Sequence, residues 1–130
     1  MGMDIPLIAV NHMQGHILSH FIDEEETMPQ FPFLCLTVSG GHTQIVQVDS
    51  PNKMEVIGTT IDDAAGEAFD KSAKVLGLPY PGGPLIDKYA KKGDIHAFEF
   101  GKPKIKGLDF SFSGLKTSIL YKIQNNMQKN

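Results

Sequence analysis

Two histidines, His12 and His16, stand four positions apart in a stretch that reads as helix. One helical turn puts both imidazoles on one face, within reach of a single ion. Imidazole donors favour zinc, iron, nickel or copper over magnesium. His20 continues the stripe at i+8, but a helix curves away from one ion over two turns. The same spacing also describes a solvated polar helix face. Met13 follows His12, where a zinc peptidase of the His-Glu-x-x-His type carries its glutamate base.

Three glycine-centred turns follow: Ser39-Gly40-Gly41-His42-Thr43, Ala65-Gly66-Glu67 and Pro81-Gly82-Gly83-Pro84. Paired glycines let backbone N–H groups approach a ligand, and backbone amides suit phosphates. A hairpin needing only a turn usually carries Asn-Gly or Asp-Gly, whereas Ser39 and Thr43 flank this turn with hydroxyls. A plain tight hairpin remains the alternative. Small Ala64, Ala65, Gly66 and Ala68 admit a ligand or another backbone, and Glu67 and Asp70 share a face on which an acid can accept from ribose hydroxyls. A capped amphipathic helix explains the same residues. Gly82 and Gly83 offer two bare amides at a helix start, with Asp87 one turn in, although Asp87 also simply favours the helix dipole.

The elements that position these groups follow from periodicity. Leu7-Ile8-Ala9-Val10 predicts a buried strand, and a helix from His12 to about Ile22 puts Met13, Ile17 and Phe21 on the core face. Asp23 to Glu26 form an acidic loop, and Pro29 and Pro32 keep the next stretch extended. Phe33 to Val38, Gln44 to Val48 and Met54 to Gly58 read as a strand meander. Asp62 or Asp63 is expected to cap a helix from Ala64 to Leu76, closed by Gly77. A second helix is expected from Pro84 to near Gly93. Phe98-Glu99-Phe100 and Asp109 to Phe112 are short strand candidates, and Ser113 caps a last helix from Leu115 to about Met127. The class is α/β, with a glycine hairpin facing a ligand cleft.

The chain has 130 residues and a net charge of −3, long enough for a single core. Charge is uneven: residues 1–52 hold six acids and no lysine, while 53–130 hold twelve lysines and nine acids. Arginine is absent, so bidentate side-chain clamps on phosphate are absent too. Phosphate must be met by backbone amides, lysine or a metal. Lys88, Lys91, Lys92, Lys102, Lys104 and Lys106 cluster without acids of matching density, either as an ordinary solvated surface or as point charges for a nucleic-acid backbone. The lone Cys35 lies in an apolar run and reads as a buried, inert thiol; with no internal disulfide possible, a cytoplasmic setting is expected. No apolar run reaches the length of a membrane span.

Asn11 to His16, Val38 to Gln44, Ile61 to Lys71, Tyr80 to Pro84 and Leu108 to Thr117 together resemble the TsaD/Gcp family, in that family's order and over nearly the whole chain. Archaeal and eukaryotic relatives form the catalytic subunit of the KEOPS complex. The resemblance implies an actin-like ATPase fold of the sugar kinase and heat-shock type. It implies a tRNA threonylcarbamoyltransferase, moving threonylcarbamoyl from its adenylate to the exocyclic amine of an adenosine beside the anticodon. It makes His12 and His16 ligands of one iron or zinc ion per full-length subunit. Thr37, Val38, Ser39, Gly40 and Gly41 would line the phosphate and carbamoyl region, and Asp70, Gly83 and Asp87 would contact the nucleoside. Implied partners are tRNA and TsaB-like and TsaE-like proteins, with no membrane. Residues 4–130 are expected to be a central fragment, inactive in isolation, and 1–3 an added start; the family's downstream asparagine and metal-ligand aspartate have no counterpart here. Asn11 departs from the family's usual basic residue or histidine at that place. The rival readings are a metal-dependent glycoprotein endopeptidase, the family's older label, and a non-catalytic actin-like assembly partner.

Overall fold

A computed structural model describes residues 5–22 and 28–127. Helix α1 (His12–Leu18) continues as a tight 3-10 turn over Ser19–Phe21. Three strands follow, β1 (Phe33–Val38), β2 (Thr43–Ser50) and β3 (Lys53–Thr59), then helices α2 (Ala65–Val75), α3 (Gly82–Ala90) and α4 (Ser113–Met127). The strands form an antiparallel sheet in the order β1-β2-β3, the expected meander. The pairing of Phe33 with Val48 and of Cys35 with Val46 puts their side chains on one face. There Ile17 of α1 packs on Val46 and Val48 to make the core, with Phe33, Cys35 and Met54 around it. Met13 and Phe21 are half-buried along the same stripe, and the Phe21 ring stacks on Phe31 at 5.3 Å. Cys35 is therefore half-buried rather than enclosed.

The opposite face of β1 is bare: Leu34, Leu36 and Val38 are 66%, 59% and 56% exposed. Leu7 to Val10 is also corrected. It is an exposed, irregular segment, with Leu7 96% exposed, because among the described residues no strand pairs with its N–H and C=O groups. The same reason removes the two short strands expected downstream. Among the described residues Phe98 to Phe100 has no ladder partner, and Phe110 forms only an isolated parallel bridge with Thr60. The acidic stretch Asp23 to Glu26 lies outside the described residues.

Helices α2, α3 and α4 pack together, with Ala68, Ser72 and Ala73 of α2 buried. Neither Asp62 nor Asp63 caps α2, whose N-cap is Ala64. Instead the hydroxyl of Thr43, 2% exposed on β2, accepts from Ala65 N–H at 2.9 Å. Gly77 ends α2 as expected: its φ of 74° is left-handed, Gly77 N–H donates to the Lys74 carbonyl, and Leu78 N–H donates to that of Ala73. Helix α3 begins at Gly82, two residues before the expected Pro84, and ends at Ala90. Helix α4 begins at Ser113, capped from a distance by Asp62, whose Oδ1 accepts from Phe112 N–H at 2.8 Å and Ser113 N–H at 3.2 Å.

Candidate functional site

Asn11 fixes where α1 starts. Its Oδ1 accepts from Met13 N–H at 3.0 Å and Gln14 N–H at 3.1 Å, so His12 is the first helical residue and His16 sits directly over it. The two Nε2 atoms are 3.1 Å apart and the rings meet edge to face, with centroids 4.4 Å apart. Both residues are exposed. Neutral imidazoles at this separation either share a proton or lend two lone pairs to one ion, at the ~2.0–2.1 Å typical of metal–nitrogen bonds. The pair thus fits two coordination positions. Among the described residues no cluster of three His, Cys, Asp or Glu side chains surrounds a common point.

A cavity of about 290 Å³ opens between α1 and β1. It brings His16, His20 and His42 together with Thr37, Val38 and Ser39. The His42 ring lies 6.4 Å from that of His12. His16, one of the two expected metal histidines, therefore shares one cleft with the start of the expected phosphate turn; His12 does not line that cleft and is joined to it through its 3.1 Å approach to His16. The turn is self-supporting. Ser39 N–H donates to the His42 carbonyl at 2.8 Å, and Ser39 Oγ accepts from His42 N–H at 3.0 Å and Gly41 N–H at 3.3 Å. Helix α2 presses on it from behind: Gly66 N–H donates to the Ser39 carbonyl at 3.2 Å. A Cβ on Gly66 would lie 2.8 Å from that oxygen and 2.9 Å from Gly40 Cα. The small residues of α2 thus admit another backbone, one of the two uses their sizes allowed.

Asp70, Gly83 and Asp87 are not in that cleft. The amides at the start of α3 are not bare, since Asp70 Oδ1 accepts from Gly82 N–H at 2.8 Å and Gly83 N–H at 3.3 Å. A carboxylate here suits the positive end of the helix dipole. Asp70 borders a separate cavity of about 240 Å³ with Lys74, Tyr80 and Gly82. Asp87 is exposed and paired with Lys91 at 2.7 Å. Glu67, the other acid on the face of Asp70, is held by Lys71 at 2.9 Å, and Lys71 also meets Asp63. The Lys71 ammonium is pushed above its ordinary pKa by Asp63 first and Glu67 second.

Sequence reasoning missed three groups. Thr43 docks α2 on the glycine turn. Asp109 Oδ1 accepts from Thr59 N–H at 2.9 Å, tying the segment before α4 to the end of β3. Asp62 accepts from Ser111 Oγ, Ser113 Oγ and two backbone amides. Partial desolvation works to raise the Asp62 pKa, but these four hydrogen bonds outweigh it and hold the carboxyl well below the usual carboxylate range. Its partners lie 49 to 51 positions away, beyond any local signal.

The family model described as TsaD, tRNA N6-adenosine threonylcarbamoyltransferase, matches residues 1–130. A protein of Christiangramia forsetii carrying that name is 70% identical over 125 residues, covering 95% of this chain and 37% of the relative. Namesakes from Riemerella anatipestifer and Phocaeicola vulgatus are 60% and 58% identical, covering 100% and 95% of this chain and 38% of each relative. The chain thus spans 37% to 38% of the length of these relatives. With a family match along its whole length, the chain belongs to the TsaD family.

Proposed function

We propose that this chain is the central part of a tRNA threonylcarbamoyltransferase with the actin-like ATPase fold. The antiparallel meander followed by packed helices agrees with one half of such a fold. In the proposed reaction the exocyclic amine of an adenosine beside the anticodon attacks the carbamoyl carbon of threonylcarbamoyl adenylate. A carbon–nitrogen bond forms, the bond from that carbon to the phosphate oxygen breaks, AMP departs, and the amine loses a proton.

The observation that carries this reading is the cleft in which His16, its Nε2 3.1 Å from that of His12, lines one cavity with Thr37 to Ser39. His12 and His16 would hold one iron or zinc ion through Nε2, and such an ion supplies a Lewis acid for a carbonyl or phosphate oxygen. The chain's own part is positioning. Ser39 Oγ and the α2 contact hold Thr37 to Gly41 in one shape before substrate arrives, which lowers the reorganisation cost of the transfer. Asp70, Gly83 and Asp87 would meet the nucleoside part of the adenylate; Asp70 already orders the α3 amides beside it. The proposed partners are tRNA and TsaB-like and TsaE-like proteins, in the cytoplasm. No helix among the described residues is long and apolar enough to cross a membrane.

The test is the full-length protein incubated with labelled threonine, bicarbonate, ATP, tRNA and its partner proteins, beside a glycosylated protein substrate. Label in tRNA supports the reading. Cleavage of the glycoprotein without label in tRNA overturns it.

A further inference from the structure

A cavity of about 570 Å³ shares no lining residue with the histidine cleft. Lys102, Pro103 and Ile105 line it together with Phe110, Phe112 and Leu115. We propose that this cavity receives an unstacked base of the RNA substrate, with the ring of Phe110 as stacking surface and Lys102 against the neighbouring phosphate. The proposal rests on the transferase reading for the identity of the RNA.

Three features point to this occupant. The aromatic wall has a defined geometry: the Phe110 and Phe112 rings are 12° from parallel, with centroids 6.2 Å apart, and both are half-buried. Recognition of single-stranded RNA relies on bases stacked on aromatic side chains. The wall is also held rigid from behind. Phe110 N–H donates to the Thr59 carbonyl at 3.0 Å, and Ile61 N–H donates to the Phe110 carbonyl at 2.9 Å. Asp109 and Asp62 clamp the residues on either side. Those two carboxylates, the negative charges next to the wall, already accept hydrogen bonds from the protein.

Charge supplies the third feature. Lys104 and Lys106 stand exposed beside Lys102, and among the described residues no carboxylate pairs with any of the three. A chain without arginine meets phosphate through point charges, which attract an RNA backbone without reading its sequence. An aromatic face beside unpaired lysines is complementary to a base and its phosphate together. A duplex, whose bases are stacked inward, offers only the phosphates.

The experiment compares full-length wild type, Phe110→Leu, Phe110→Tyr and Lys102→Gln on two RNAs, a hairpin with an unpaired loop and a fully paired duplex of equal length. Phe110→Leu is expected to weaken hairpin binding by about 5- to 150-fold, the loss of one base–aromatic stack, and to leave duplex binding unchanged. Phe110→Tyr, which keeps the ring, is expected to bind both RNAs like wild type. Lys102→Gln is expected to reduce the slope of log K against log salt for the hairpin by about 0.7. Unchanged hairpin binding by Phe110→Leu overturns the proposal, as does equal loss on both RNAs, equal loss in Phe110→Tyr, or a wild type that does not prefer the hairpin. A wild type that transfers threonylcarbamoyl yet is indifferent to Phe110 defeats the cavity proposal alone. One that fails to transfer but shows the Phe110-dependent hairpin preference upholds the cavity proposal and defeats the transferase reading alone.

Discussion

Residues 5–59 and residues 60–127 are built by different rules. In the first region the elements pack in chain order: one helix on one hairpin, then a third strand beside the second. In the second, the segments between helices are held by carboxylates that reach across about fifty positions, Asp62 to 111–113 and Asp109 to Thr59. The first region carries the histidine cleft on its own strands and helix. The second lines its cavity of about 570 Å³ partly with residues 109–112, a segment held by those distant clamps. A site made from local geometry should therefore lose function without losing stability, whereas damage to a clamp should show first in stability.

The largest effect tests the local half. His12→Ala and His16→Ala are expected to abolish transfer in the full-length enzyme, while the folding free energy changes by no more than about 0.5 kcal/mol, because both residues are exposed and removal leaves no core void. A transfer assay beside a thermal melt checks both halves of that statement. Unchanged transfer in either variant would remove the histidine pair from the mechanism.

Next comes the seam between the regions. Gly66→Ala forces a methyl group to 2.8 Å from the Ser39 carbonyl, a backbone atom that cannot rotate away. The expected cost is about 1–3 kcal/mol, together with reduced transfer, since the displaced atoms belong to the glycine turn. Denaturant unfolding measures the first and the transfer assay the second. A variant as stable and active as wild type would show that α2 and the turn move independently.

What the sequence revealed follows the range of each contact rather than the region it lies in. The His12/His16 spacing, the glycine hairpin and the three strands follow from periods of one turn or two residues, so the residues themselves display them. Gly77 was legible because a left-handed φ at a helix end strongly favours glycine. The start of α3 was misplaced because Pro84 is an attractive first-turn residue, whereas the acceptor that anchors Gly82 is Asp70, twelve positions back. Leu7 to Val10 has the apolar content of a buried strand, but content supplies no neighbour to pair with. Asp62 read as the cap of the helix next to it, and it caps the helix fifty residues later.

That clamp gives the third prediction. Asp62→Ala is expected to cost about 0.5–2 kcal/mol, the range for losing a helix cap, and to leave the histidine pair unaffected. The pH dependence has a definite sign. The folded carboxyl titrates below its ordinary value of 3.8, so its stabilisation is complete above that value and fades as pH falls through the depressed folded value. Wild type should lose more stability than Asp62→Ala on acidification below about pH 4, the range in which the unfolded group takes up its proton. Parallel curves of stability against pH would mean that the Asp62 hydrogen bonds are no stronger than those the unfolded chain makes to water.

The smallest effect falls on Asp87, and it separates a structural from a binding role. Its pairing with Lys91 is an exposed i, i+4 contact, worth about 0.3–0.5 kcal/mol, so Asp87→Asn should scarcely move the melting temperature. If Asp87 meets the nucleoside part of the adenylate, the substitution removes an acceptor charge from ground state and transition state alike. KM for the adenylate then rises while kcat holds. Lys91→Gln breaks the same ion pair from its other end and should leave KM where it was. Equal kinetic changes in the two variants would assign the effect to helix α3 as a whole. A KM change confined to Asp87→Asn would mean that the second region binds substrate directly, on a residue whose side chain needs none of the distant clamps to hold it.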